Sequence, residues 1–141
     1  MIVSLGLALA AGACREPAAT RVAAAGVAWE RSLDDALRRA TAENKLVMVF
    51  FYTDWCGWCR RMDESTFADS KVQEALGRLV VVRLNAEKNG RAEAARFRVN
   101  SYPNIAFLDA SGAQVARLPG FMPAPAFLEE LRDVLAAAAS R

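Results

Sequence analysis

The sequence predicts an α/β fold, with a mixed sheet of about four or five strands flanked by helices. Three observations carry that expectation. Short continuous apolar runs, of which residues 46–51 (LVMVFF) are the clearest, suit strands buried on both faces. Segments with helical spacing separate the first three runs. Only a turn separates the last two, so those should pair as a hairpin.

Taken in order, Ser32 followed by Asp35 is a capping-box pattern that opens a helix. Leu33, Ala36, Leu37 and Ala40 give it an apolar stripe, and Asp34/Arg38 and Asp35/Arg39 are spaced to pair on its wet side. The strand at 46–51 ends at Thr53-Asp54-Trp55, and a helix should begin near Cys56. Residues 72–76 add a short helical turn, and residues 79–84 (LVVVRL) read as the next strand. Asn89-Gly90 marks a turn before an Ala-rich helix over 91–98. A strand over 105–108 meets the turn Asp109-Ala110-Ser111-Gly112, and residues 114–118 alternate as an edge strand does. Pro123 and Pro125 sit where a last helix can start, with Phe127, Leu131, Val134 and Leu135 as its apolar face.

A length of 141 residues holds one domain and a short leader. With 54% hydrophobic and 24% charged residues the chain is globular in composition, not disordered. Eighteen basic residues against sixteen acidic leave a formal charge of +2, too balanced for a nucleic-acid partner. Histidine is absent, which excludes mechanisms that need an imidazole base or ligand.

The first thirteen residues, MIVSLGLALAAGA, carry no charge, and Ser4 is their only polar side chain. Such a run is shorter than the ~20 residues a membrane-spanning helix needs and fits the apolar region of a signal peptide. Ala11-Gly12-Ala13-Cys14 resembles a bacterial lipobox, whose cysteine is acylated and becomes the mature N-terminus. Ala11 stands where leucine is usual, no Lys or Arg precedes the run, and the same small residues also satisfy ordinary signal cleavage. The expected organisation is a lipoprotein-type signal peptide over 1–13, a tether over 14–28 and a folded domain over 29–141. That places the domain outside the cytoplasm, in the periplasm, held to the membrane through Cys14.

Trp55-Cys56-Gly57-Trp58-Cys59 carries the chemistry. A Cys-x-x-Cys pair at a helix start puts both sulfurs on one face, within reach of a disulfide. The helix amides and dipole favour a thiolate on the first cysteine, and Arg60 and Arg61 bring positive charge nearby. A thiol titrating at ~8.5 is roughly 3% ionised at pH 7, whereas one at ~7 is about half ionised. A purely structural bridge is the plainer reading, yet closing so short a loop stabilises by only about 2 kcal/mol, against ~4.7 for a hundred-residue loop. A metal site is the other alternative; zinc wants four ligands, and the chain has no histidine and no second Cys pair.

The block FFYTDWCGWCRRMDESTFADSKVQEAL is similar to thioredoxin-fold domains, and in particular to the C-terminal periplasmic domain of the bacterial thiol:disulfide interchange protein. The similarity runs on through Val99-Asn100-Ser101-Tyr102-Pro103, the strand IAFLD with its Ser-Gly turn, and Gly120-Phe121-Met122, covering residues 30–135 in order. The resemblance implies a thioredoxin fold and a thiol:disulfide oxidoreductase in which Cys56 attacks and Cys59 resolves. It implies that Pro103 is a cis-proline that leaves the Tyr102 backbone free to pair with an extended substrate. It also implies that Trp55, Gly57 and Trp58 form the rim a substrate meets. No cofactor or metal is then required beyond the Cys56–Cys59 disulfide. The implied partners are exported protein disulfides and a membrane thiol reductant, with the chain acting as a monomer. One departure stands out. Thioredoxins carry a buried Asp six residues before the first cysteine, where this chain has Phe50. Asp63, four residues after Cys59, is the candidate to handle the Cys59 proton instead, with Asp54 a weaker one. The rival class is a thioredoxin-fold binding module whose cysteines are merely bridged.

If Cys14 is acylated, the full-length chain in a bacterial host should take up labelled fatty acid and fractionate with membranes. The Cys14→Ser variant should lose both properties. Anchoring needs more than one acyl chain, because a single chain binds only marginally. Soluble wild-type protein with a free Cys14 thiol would point to ordinary signal cleavage.

Overall fold

The computed structural model describes residues 26–141, so the leader, Cys14 and the tether as far as residue 25 lie outside the described residues. Ser32 caps the first helix, α1 (Leu33–Glu43), its hydroxyl accepting from the Asp35 amide at 3.3 Å. Leu33, Ala36 and Ala40 are the buried stripe, and Asn44 ends the helix in the left-handed conformation. The i,i+4 pairs expected on the wet side do not form. Arg38 bonds Asp35, while Arg39 is drawn to Glu43 at 2.7 Å and to Glu30 at 3.0 Å. The segment before the helix brings Glu30 alongside, so Arg39 is shared between a carboxylate of the helix and one from outside it.

The next element, β1 (Val47–Tyr52), explains its continuous apolar run. Val47, Val49 and Phe51 pack on one face with α1, while Met48 and Phe50 pack on the other. Both faces are covered, so no polar position alternates. After β1 come α2 (Gly57–Arg61) and a π-helical turn, Met62–Thr66, closed by the Phe67 amide on the Met62 carbonyl at 2.9 Å. Nothing in the sequence signalled that widening. A short helix, α3 (Ser70–Leu76), follows, begun by Asp69 accepting from the Lys71 and Val72 amides.

The second strand, β2 (Val80–Asn85), lies parallel to β1, with Val80 opposite Val47 and Arg83 opposite Phe50. The turn at Asn89-Gly90 leads to α4 (Arg91–Arg96). Glycine is required there, because a Cβ at position 90 would sit 2.5 Å from the Leu84 Cβ. This helix ends two residues earlier than expected, with Arg98 at positive φ. Then β3 (Asn104–Leu108) pairs antiparallel with β1, and β4 (Gln114–Pro119) antiparallel with β3. The last helix is α5 (Ala124–Ala139), which buries Phe127 and Leu131.

The result is a four-stranded mixed sheet in the order β2-β1-β3-β4, flanked by helices. Glu30 adds a single parallel bridge outside β2, its amide donating to Val81 and its carbonyl accepting from Arg83. The core has two layers. On one face the sheet meets α1 and α4, including Phe97; on the other it meets the π turn, α3 and α5 through Met62, Phe67, Leu76 and Phe127. Val27 and Trp29 also pack against this second layer. No helix among the described residues is long and apolar enough to cross a membrane.

Candidate active site

The chain leaves β1 at Tyr52 and turns through Thr53-Asp54-Trp55, where the Cys56 amide donates to the Thr53 carbonyl at 3.3 Å. Cys56 is the N-cap of α2, and its sulfur accepts from the Cys59 amide at 3.1 Å. The two cysteines are joined in a disulfide with Cα atoms 5.3 Å apart. A helix start supplies unpaired amides, and here one of them points at the sulfur that would carry negative charge after reduction.

Both cysteines are nearly buried, at 4% and 2% exposure, so their accessibility differs little in the oxidised form. The rim is the opposite, with Trp55 and Trp58 exposed at 65% and 62%. Each tryptophan is nonetheless held. The Trp55 indole donates to Glu87 at 3.0 Å and meets the Tyr102 ring edge-on at 5.9 Å. Trp58 tilts against Phe121 at 5.3 Å. Glu87 is fixed in turn by its amide on the Asn85 side chain, and Asn85 donates to Asp54 at 2.8 Å. The other Asp54 oxygen meets the Lys88 ammonium at 2.6 Å, which raises the lysine's proton affinity. Asp54 is thus a member of the network supporting Trp55.

The Tyr102–Pro103 peptide bond is cis, Pro103 is buried, and its carbonyl accepts from the Gly120 amide at 2.8 Å. Among the described residues, no hydrogen bond is made by the Tyr102 backbone. Gly57 leaves open space, since a Cβ there would meet only the Arg60 guanidinium at 3.8 Å. Arg60 donates to the Asp54 carbonyl, and Arg61 lines an open groove with Gly57 and Trp58.

Asp63 sits in the π turn, and its two carboxylate oxygens receive both terminal nitrogens of Arg83, each at 3.0 Å. Arg83, Glu87 and Trp29 stand outside the motifs that mark the site in the sequence. A signal for Arg83 was present, because it is the one charge inside an otherwise apolar strand run. Among the described residues, no group of His, Cys, Asp or Glu side chains is arranged to hold a metal ion.

In the reduced protein, alkylation at neutral pH should modify Cys56 well before Cys59. Among the described residues, the Cys56 sulfur receives a helix amide and the Cys59 sulfur receives none. Peptide mapping of a partly alkylated sample checks the order, and preferential loss of Cys59 would reverse the two roles.

The thioredoxin-like domain family matches residues 33–135. The thiol:disulfide interchange protein DsbD of Ralstonia nicotianae is 36% identical over 140 residues, covering 93% of this chain and 23% of that protein. The chain therefore spans only a minor part of that relative. A thioredoxin from Thermus thermophilus superposes with a TM-score of 0.71 at 33% identity, over 79% of this chain and 88% of that one. The C-terminal domain of Neisseria meningitidis DsbD in its oxidised form shares the fold, with a TM-score of 0.63 over 75% of this chain and 98% of that one, at 23% identity. The chain belongs to the thioredoxin-like domain family, with the Cys56–Cys59 pair at the head of α2.

Proposed function

We propose that this protein is an exported thiol:disulfide oxidoreductase that reduces disulfides in periplasmic proteins through Cys56 and Cys59. The observation that carries the reading is the closed Cys56–Cys59 disulfide at the α2 N-cap, set between two exposed tryptophans. A structural staple would gain nothing from that rim.

In the working direction the Cys56 thiolate attacks a partner disulfide, and one partner sulfur leaves as a thiolate that takes up a proton. Cys59 then attacks the Cys56 sulfur, breaks the mixed disulfide and releases the second partner thiol. Two electrons have passed to the partner and the protein is left as the disulfide. A membrane thiol reductant returns those electrons by the same exchange in reverse. No prosthetic group enters the scheme, and each step involves one copy of the chain.

The supporting residues act through position. Trp55 and Trp58 shield the exchanging sulfurs, while Gly57 leaves room for a partner chain beside Cys56. The Tyr102 backbone, which makes no hydrogen bond among the described residues and stands next to Pro103, is available to an extended substrate strand. Asp63 receives the Cys59 proton during resolution. Acyl chains on Cys14 would hold the domain at the membrane, near its reductant.

Loss of the resolving thiol should stall the exchange at its intermediate. The Cys59→Ser variant should therefore accumulate disulfide-linked complexes with exported proteins and with a membrane thiol reductant, and Cys56→Ser should not. Capture of an oxidising membrane partner would reverse the direction of electron flow. Complexes formed by Cys56→Ser alone, or by neither variant, would favour a binding module with a passive bridge.

A further inference from the structure

The short helix α2 has two sides. Cys56 and Cys59 are turned inward and buried, while Gly57, Trp58 and Arg61, three and four residues apart, share the outer stripe. These three line the open groove beside the disulfide. Trp58 is held in place there. Its ring rests on Phe121, and the carbonyl of the next residue, Met122, accepts from the Thr66 hydroxyl of the π turn. A largely exposed indole backed by a second ring is a firm apolar platform for a partner side chain.

Charge gives the groove its sign. Asp54 is taken by Lys88, Asp63 by Arg83, and Glu87 by the Trp55 indole. Arg60 folds back to donate to the Asp54 carbonyl. Arg61 is exposed, and among the described residues its guanidinium makes no ion pair and no hydrogen bond, even with the exposed Glu64 one turn on. A planar guanidinium fork fits both oxygens of a carboxylate and sheds water more readily than an ammonium. Beside an apolar ring that attraction is stronger than in open water. Reach is also suitable. Arg61 stands five residues after Cys56, about 7.5 Å along a helix axis. An extended partner chain rises about 3.3 Å per residue, so a side chain two or three residues from its cysteine spans that interval.

We infer that Arg61 selects the partner. The protein exchanges fastest with disulfides whose cysteine has a carboxylate two or three residues away, which pairs with Arg61 while a neighbouring apolar side chain covers Trp58. This rests on the dithiol reading proposed above and names the substrate class of that site. The chemistry is unchanged: Cys56 bonds to one partner sulfur, the partner disulfide breaks, and the other sulfur leaves as a thiolate. Arg61 changes how often a partner arrives in register.

Peptides whose single cysteine is activated as a 2-pyridyl disulfide test this on the reduced full-length chain carrying Cys14→Ser, whose remaining thiols are Cys56 and Cys59. Attack by Cys56 on the peptide sulfur releases thiopyridone, and free peptide thiol follows when Cys59 resolves. The peptides share a leucine beside the cysteine and carry Asp, Asn or Lys at the second residue on either side. At low ionic strength the Asp peptide should release thiopyridone about tenfold faster than the Lys peptide, and salt should shrink that ratio. Arg61→Gln should cut the ratio to about twofold, whereas Arg60→Gln should keep most of it. Both peptides meet the same thiolate, so the ratio is blind to any change in Cys56 ionisation. Equal rates for the two peptides on the wild-type thiols would overturn the inference. So would a ratio that survives Arg61→Gln, or one that falls as far in Arg60→Gln. Thiopyridone release with no free peptide afterwards would count instead against the dithiol reading itself.

Discussion

β1 has a strand on each edge and a helical layer on each face, and that enclosure fixes the rest of the molecule. Each of its fully buried side chains contributes about 1.5–3 kcal/mol relative to exposure. A slip of one residue would exchange Val47, Val49 and Phe51 with Met48 and Phe50 and undo both layers at once. The strand is therefore held in one register, and its last residue, Tyr52, becomes a fixed point. From there only Thr53-Asp54-Trp55 separate the sheet from Cys56. The start of α2, and with it the amide that meets the Cys56 sulfur, inherits its position from the most constrained strand in the fold.

The same constraint shapes the electrostatics beneath the disulfide. Phe50 points into the layer that α2 and the π turn cover, so the sheet carries no carboxylate at that position. Arg83, beside it, brings a positive charge there, and Asp63 answers it from the helix side. Acid and base partners are thus divided between sheet and helix, with an aromatic shelf of Trp29, Phe50 and Tyr52 under the cation. Trp29 comes from the segment ahead of α1. That segment also gives Glu30 to the edge of β2 and to Arg39, so the entry to the domain is tied to the sheet edge and to α1.

Much of this was legible in the residues. The run at 46–51 announced a doubly buried strand because both of its faces are covered. Ser32 and Asp35 announced a helix start, and the Ser32 hydroxyl does cap it. Cys56 and Cys59 were found from their spacing between strand and helix, where the structure joins them. What escaped depends on contacts between residues distant in sequence. The partner of Asp63 lies twenty residues away on β2, and the partner of Trp55 is Glu87, on the turn after that strand. The π turn leaves no trace in apolar periodicity, since one extra residue in a single turn shifts the pattern too little. On α1 the expected pairs give way to Arg38 with Asp35, three residues apart, and to Arg39 shared between Glu43 on the helix and Glu30 from outside it, a sharing that spacing within the helix does not show.

The central claim is that Cys56 and Cys59 form a working redox couple, and its reduction potential tests that most directly. Redox titration of the full chain against glutathione, read by alkylation of the reduced form, should show a reversible two-electron transition. Its midpoint should fall between about −270 and −120 mV, the span of dithiol enzymes of this kind. A disulfide that stays closed until below about −300 mV would be a structural bridge and would contradict the claim.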